Sequence, residues 1–230
     1  MASHEVAVIG QEARCSDVLS VRFERPAGYT FAAGQYLALT LRTAQGRETK
    51  PFSHSSGTGD PHLEVTTRLS GSTFKAALSA LEPGDRVSIA GPAGRLTIPA
   101  DERRVAFLVG GVGITPVISM LRSRDSATAP ETVLFYGNRE PSCIPFADEI
   151  AALAGERLSV VHVVEEAPEE WRGERGFITP RIVRGRLDPS DGWLFVVAGP
   201  PVMVSAMEAV LDALAVPASR AMIERFGPPA

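Results

Sequence analysis

The chain has 230 residues, 44% hydrophobic and 22% charged, the make-up of a folded protein with room for two domains. Its formal net charge of −4 excludes nucleic acid as a general partner, because no basic excess would neutralise phosphates. Two cysteines, Cys15 and Cys143, are too few for an iron–sulfur cluster, which takes about four.

The cysteines are expected as free thiols in a reducing compartment. The N-terminus shows no basic-then-apolar leader, and no uninterrupted apolar run reaches the roughly 20 residues of a spanning helix. The expectation is a cytoplasmic protein without a membrane span. The first hundred residues read as short antiparallel strands at 4–9, 18–23, 35–41, 62–69 and 86–90, punctuated by glycine and proline turns. Regular spacing of this kind favours a β-barrel, which removes sheet edges. One helix interrupts it, with Thr73 as cap and 74–81 helical. Beyond Ile98-Pro99-Ala100-Asp101 the pattern changes. Apolar strands at 104–109, 131–136, 158–164 and 193–198 alternate with helical stretches at 116–123, 145–154, 178–184 and 201–215. Such alternation builds a parallel sheet covered by helices. The predicted organisation is an antiparallel β-barrel over 1–99, then an α/β parallel-sheet domain over 100–230.

The most informative segment is Val109-Gly110-Gly111-Val112-Gly113-Ile114-Thr115-Pro116, a glycine turn between an apolar strand and a helix start. Glycines let the backbone approach a bulky anion, Thr115 is expected as N-cap and Pro116 as first helical residue, and the helix start faces the anion. It is not the G-x-G-x-x-G fingerprint of dinucleotide sites. A second glycine loop, Arg68-Leu69-Ser70-Gly71-Ser72-Thr73, repeats this logic at the barrel's helix. Tyr136-Gly137-Asn138-Arg139 ends the second parallel strand, where a ribose should lie at the carboxyl edge of the sheet. Arg139 suits a phosphate on that ribose and its neighbour Glu140 a free ribose hydroxyl, and both stay open. The run Glu165, Glu166, Glu169 and Glu170 reads as a solvated acidic loop.

Taken in order, these segments resemble the ferredoxin–NADP(H) reductase superfamily, flavin enzymes that link nicotinamides to one-electron carriers. Lys50-Pro51-Phe52-Ser53-His54-Ser55-Ser56 resembles its flavin motif, Arg-x-Tyr/Phe-Ser-x-x-Ser. The likeness implies that Lys50 neutralises a flavin phosphate, Phe52 packs on the flavin and Ser53 acts catalytically beside N5. It also puts Thr66, Arg68, Gly71, Ser72 and Thr73 at the flavin, and Gly111, Gly113, Thr115, Pro116, Asn138 and Arg139 at the nicotinamide coenzyme. Gly91-Pro92-Ala93-Gly94 matches the family's interdomain turn. Ala198-Gly199-Pro200-Pro201-Val202-Met203 matches Cys-Gly-Pro-Pro-x-Met, with Gly199, Pro200 and Met203 at the nicotinamide. Glu224-Arg225-Phe226 resembles the acidic-x-aromatic ending, Glu224 as a catalytic group and Phe226 as a ring cover.

Three departures stand out: Lys50 for arginine, Phe52 where many relatives have tyrosine, and Ala198 for cysteine. A lysine keeps the charge but loses the two-pronged grip of a guanidinium. The resemblance implies a flavin-dependent NAD(P)H reductase holding FAD, with FMN as the alternative, and no metal. Its expected partner is a separate iron–sulfur or flavodoxin-type carrier. Two alternatives are a nucleotide-binding subunit with little turnover and a reductase of free flavins.

Overall fold

The computed structural model describes residues 2–125 and 128–227. The chain divides into two compact units, one running to Thr97 and including Thr115–Ser123, the other comprising Ile98–Ile114 and the chain from Arg124 onward.

In the first unit, β1 (Ala2–Cys15), β2 (Val18–Glu24), β3 (Tyr36–Thr43), β4 (Gly46–Ser53), β5 (His62–Arg68) and β6 (Arg86–Ala93) form one curled antiparallel sheet. Their order is β4-β3-β6-β1-β2-β5. Alternation sets the faces: Leu19, Val21 and Phe23 of β2 and Leu63 and Val65 of β5 enter the core. The partners Ser20, Arg22, Glu64 and Thr66 therefore fall on the other face. The edge strands β4 and β5 meet just beyond β4, where His54 bridges Val65 and the Ser55 N–H donates to the Glu64 carbonyl at 2.8 Å. The segment just beyond β4 thus closes one end of the barrel.

The helix α1 (Thr73–Ser79) buries Phe74 and Leu78, one turn apart, in the same core. Its cap is Ser72, whose Oγ accepts from the Lys75 N–H at 3.3 Å. This corrects the expectation for Thr73, which is the first helical residue. Strand β4 escaped the sequence reading because it is polar, mostly exposed and holds Pro51, a residue that an edge strand tolerates. Neither cysteine is a free thiol, contrary to expectation; composition counts cysteines but carries nothing about what their sulfurs meet.

A last element, α2 (Ile114–Arg122), belongs with the barrel. Its Ser119 Oγ donates to the Ser56 carbonyl at 2.7 Å, and Arg122 donates to the Ser55 carbonyl at 2.6 Å. Gly57 is needed there, since a Cβ would stand 3.0 Å from that of Arg122.

The second unit is a six-stranded parallel sheet of β7 (Arg104–Gly110), β8 (Glu131–Asn138), β9 (Leu158–Val164), β10 (Glu174–Arg175), β11 (Leu194–Gly199) and β12 (Ala221–Arg225). The order is β10-β9-β8-β7-β11-β12. Its helices are α3 (Ala147–Leu153), α4 (Pro180–Arg184) and α5 (Pro201–Ala213). One core gathers Ala106, Leu108, Val133, Phe135, Phe195 and Val197 from the strands with Val204, Met207 and Leu211 of α5. Strands β10 and β12 carry no apolar run long enough to announce them. The glycine turn is a 3₁₀ turn, Gly111–Gly113, that runs straight into α2. Thr115 is consequently helical rather than an N-cap, and Pro116 is the third helical residue. Among the described residues no helix is long and apolar enough to cross a membrane.

Candidate functional site

In the β3–β4 ladder Lys50 stands opposite Leu39 and Phe52 opposite Leu37. Opposite residues share a face, so Lys50 and Phe52 lie on the side of β4 that the two core leucines define. Lys50 and Pro51 are exposed, Phe52 is half-buried and Ser53 is buried at the strand end. The Phe52 ring stacks on Phe74, with centroids 5.7 Å apart. Lys75 of α1 places its Nζ 5.2 Å from the Phe52 centroid and donates to Thr67 Oγ1. Burial draws the Lys75 pKa down to about 8. Gly71 has open space where a Cβ would stand, and Arg68 is exposed and paired with Asp17. Thr73 Oγ1 donates to Glu48 at 2.9 Å, as Thr43 does at 2.7 Å, and these hydroxyls hold the Glu48 carboxyl below its ordinary range.

Thr66 sits elsewhere. Its hydroxyl lies 2.7 Å from Ser20 Oγ and 2.8 Å from Ser55 Oγ, in the buried polar layer around Glu64. His54 is fully buried, stacked on Phe31 at 4.0 Å with Nε2 3.2 Å from the Tyr29 hydroxyl. Burial, with Arg25 adding, pushes its pKa down to about 3, so it is a neutral wall of the barrel rather than a proton donor.

In the second unit, a Cβ on Gly113 would fall 2.1 Å from the Ala198 carbonyl oxygen. The neighbouring strand alone therefore demands this glycine. Ala198 pairs with Val109 on one side and Glu224 on the other, which sets the turn, the Gly199-Pro200 segment and the C-terminal strand side by side. Met203 half-packs on the core and crowds Gly110, where a Cβ would lie 3.2 Å from its Cγ. Phe226 is half-buried, its N–H donating to the Gly199 carbonyl at 2.9 Å. The Glu224 carboxyl is pushed up to about 7 by burial, and its Oε2 has no partner among the described residues.

At the carboxyl edge of β8, Asn138 is buried with both amide atoms unpartnered among the described residues. Arg139 is exposed, and its Nε donates to Glu166 at 2.8 Å. Beyond the strand ends the chains stay paired: the N–H groups of Glu165 and Glu166 donate to the carbonyls of Asn138 and Arg139 at 3.0 and 2.7 Å. Glu166 and Lys75 are the functional candidates that the sequence reading missed. Glu166 was legible in principle, since it follows β9 as Arg139 follows β8, and neighbouring parallel strands end together.

These surroundings fit the implied coenzymes. A buried amide with four unused hydrogen-bonding positions calls for a polar ligand, and the carboxyl edge of a parallel sheet is where nucleotides bind. A half-buried aromatic ring with two ammonium groups suits a flat ring system carrying phosphate.

Residues 5–98 match a family model described as an oxidoreductase FAD-binding domain, and residues 107–209 one described as an oxidoreductase NAD-binding domain. The flavohemoprotein of Deinococcus radiodurans is 30% identical over 210 residues, 86% of this chain and 52% of the relative. NADH-cytochrome b5 reductase 1 of Aspergillus oryzae is 30% identical over 198 residues, 79% of this chain and 67% of the relative. The chain thus spans between about half and two thirds of these relatives. A ferredoxin NADP+ reductase from Neisseria gonorrhoeae with bound FAD and NADP shares the fold, with a TM-score of 0.87 at 21% identity over 98% of this chain and 99% of that one. With an FAD-binding half and an NAD-binding half in that order, the chain belongs to the ferredoxin–NADP(H) reductase superfamily of flavoprotein oxidoreductases.

Proposed function

We propose that this protein is an NADH-dependent flavin reductase that passes electrons singly to a separate carrier. The observation that carries the reading is a pair of buried polar sites at the carboxyl edge of the parallel sheet without partners among the described residues, the Asn138 amide and Oε2 of the half-buried Glu224. Buried polar groups without partners are rare in folded proteins, and at the edge of a parallel sheet where nucleotides bind these two are placed to bond a ligand. Asn138 holds the nucleotide. Glu224, half-protonated near neutrality, can offer either a proton or a lone pair to a bound ring. On the barrel side Ser53 presents a buried hydroxyl at the end of β4, and Phe52 supplies the packing surface. Bound FAD supplies the exchange between hydride and single-electron chemistry, which no side chain of this protein can perform.

The preference for NADH follows from Arg139. Its guanidinium is committed to Glu166, with Glu140 and Glu165 adding negative charge around it. A 2′-phosphate would have to displace one carboxylate and approach two more. The acceptor is an iron–sulfur, flavodoxin-type or haem carrier; the haem class enters because the relatives are named as a flavohemoprotein and cytochrome b5 reductases. The test is to identify the flavin released from the purified protein, then to compare NADH with NADPH in reducing ferricyanide and cytochrome c. Bound FAD and faster turnover with NADH support the proposal. Turnover with NADPH alone overturns the nucleotide assignment, and turnover with neither overturns the activity.

A further inference from the structure

The chain has only two lysines among 23 basic residues, Lys50 and Lys75. Lys50 precedes Phe52 by two positions on the same face of β4, and Lys75 stands over the Phe52 ring. Everywhere else the chain uses arginine. The Lys75 ammonium has the Thr67 hydroxyl as its hydrogen-bond partner and no carboxylate beside it among the described residues. The nearby Glu48 carboxylate is instead engaged by the hydroxyls of Thr43 and Thr73 and lies within reach of the Lys50 charge, not that of Lys75.

A half-buried ammonium without a counter-ion is unfavourable by itself, because desolvation opposes the charge and nothing offsets it. The arrangement becomes favourable once an anion enters. It sits on an aromatic ring, with Thr67 fixing one of three N–H donors and leaving two for a ligand.

We propose that Lys75, oriented by Thr67, binds the phosphate next to the ribityl chain of the flavin, sharing it with Lys50. The inference rests on the reading of this face as the flavin site and adds a residue and a selectivity to it. Two point charges, one on β4 and one on α1, replace the single forked grip that an arginine at position 50 would give. FMN and FAD both carry this phosphate and riboflavin does not, so Lys75 selects flavin nucleotides over the bare vitamin.

The test titrates the full chain, freed of flavin, with FAD, FMN and riboflavin, following flavin fluorescence. Wild type, Lys75→Met and Lys75→Arg are compared, each also melted without ligand. Lys75→Met is expected to weaken FAD and FMN by about tenfold or more, the range for a charge-assisted hydrogen bond, with riboflavin affected less than about twofold. Lys75→Arg should recover most of the loss, and the ligand-free melting temperature of Lys75→Met should not fall. Equal weakening of all three flavins, or unchanged FAD and FMN, overturns the phosphate role. A wild type that binds none of the three overturns the flavin reading itself, and the proposal with it.

Discussion

Arg122, in the last turn of α2, donates to the carboxylate of Glu64 at 2.9 Å, and the Glu64 side chain is wholly buried. Arg14 reaches the same carboxylate at 2.9 Å and Arg22 at 2.8 Å, with Glu12 binding the outer side of both. Ser55, two residues beyond Ser53, donates its hydroxyl to Glu64 at 3.0 Å. One buried carboxylate therefore ties together β2, β5, α2 and the tail of the flavin motif.

Burial alone would raise the Glu64 pKa, but Arg122 and Arg14 more than reverse it and hold it below the ordinary carboxylate range. A depressed carboxyl stabilises the fold above its unfolded pKa, and the contribution is lost as pH falls through the folded value. Glu64→Gln should cost roughly 3–5 kcal/mol at neutral pH, because it leaves clustered guanidiniums without their partner. Thermal melts across pH should show the difference between wild type and variant shrinking toward acid. A difference that stays constant with pH would contradict the charge account.

Arg139 and Glu166 give a second expectation. Glu166→Gln frees the guanidinium and removes one repelling charge, so kcat/KM with NADPH should rise by about fivefold, the scale of one exposed ion pair. The value with NADH should change little. Arg139→Ala in the wild-type background should affect both nucleotides alike, whereas adding it to Glu166→Gln should erase the NADPH gain. A selective loss of NADPH from the single Arg139→Ala change would show that Arg139 already reads the phosphate.

Glu224 carries the opposite sign to Glu64. Its carboxyl is raised by burial, to about 7, so the group costs stability as pH climbs from its unfolded range through that value. Glu224→Gln should melt higher than wild type at pH 8 and equal to it at pH 4.5, a gain of about 1–2 kcal/mol after allowance for its partial exposure. Turnover should fall in the same variant if the carboxyl serves the bound rings. An equal shift at both pH values would count against a raised pKa.

Much of this was legible in the chain. The apolar runs at 104–109 and 131–136 are strands because parallel sheets bury both faces and leave no polar alternation, while 158–164, nearer the edge, shows Ser159 to solvent. The alternation of apolar and helical stretches likewise marked the strands that helices join. What stayed hidden was set by tertiary partners. Strand β4 is polar because it lies at an edge, and β12 is a strand because all of it pairs with β11. Thr115 looked like a cap, yet a 3₁₀ turn starts the helix before it. Lys75 sits in an unremarkable helical stretch, and only folding brings it to Phe52. Glu165 and Glu166 read as solvated charge because their neighbours, Asn138 and Arg139, lie on another strand.

Gly113 separates packing from ligand approach. A Cβ there meets the backbone oxygen of Ala198, which cannot swing away as a side chain could. Gly113→Ala should therefore cost about 1–3 kcal/mol even without nucleotide, the usual range for forced overpacking. Differential scanning of the ligand-free protein checks this. An unchanged melting temperature together with weakened nucleotide binding would mean that only the ligand needs this glycine.

The reductase assignment is tested most directly by adding NADH without oxygen to the purified, FAD-loaded protein and following the yellow flavin absorbance. The flavin should bleach at about one NADH per flavin, and its colour should return when ferricyanide is added. A protein that binds FAD and NADH separately yet keeps its colour through the titration would contradict it.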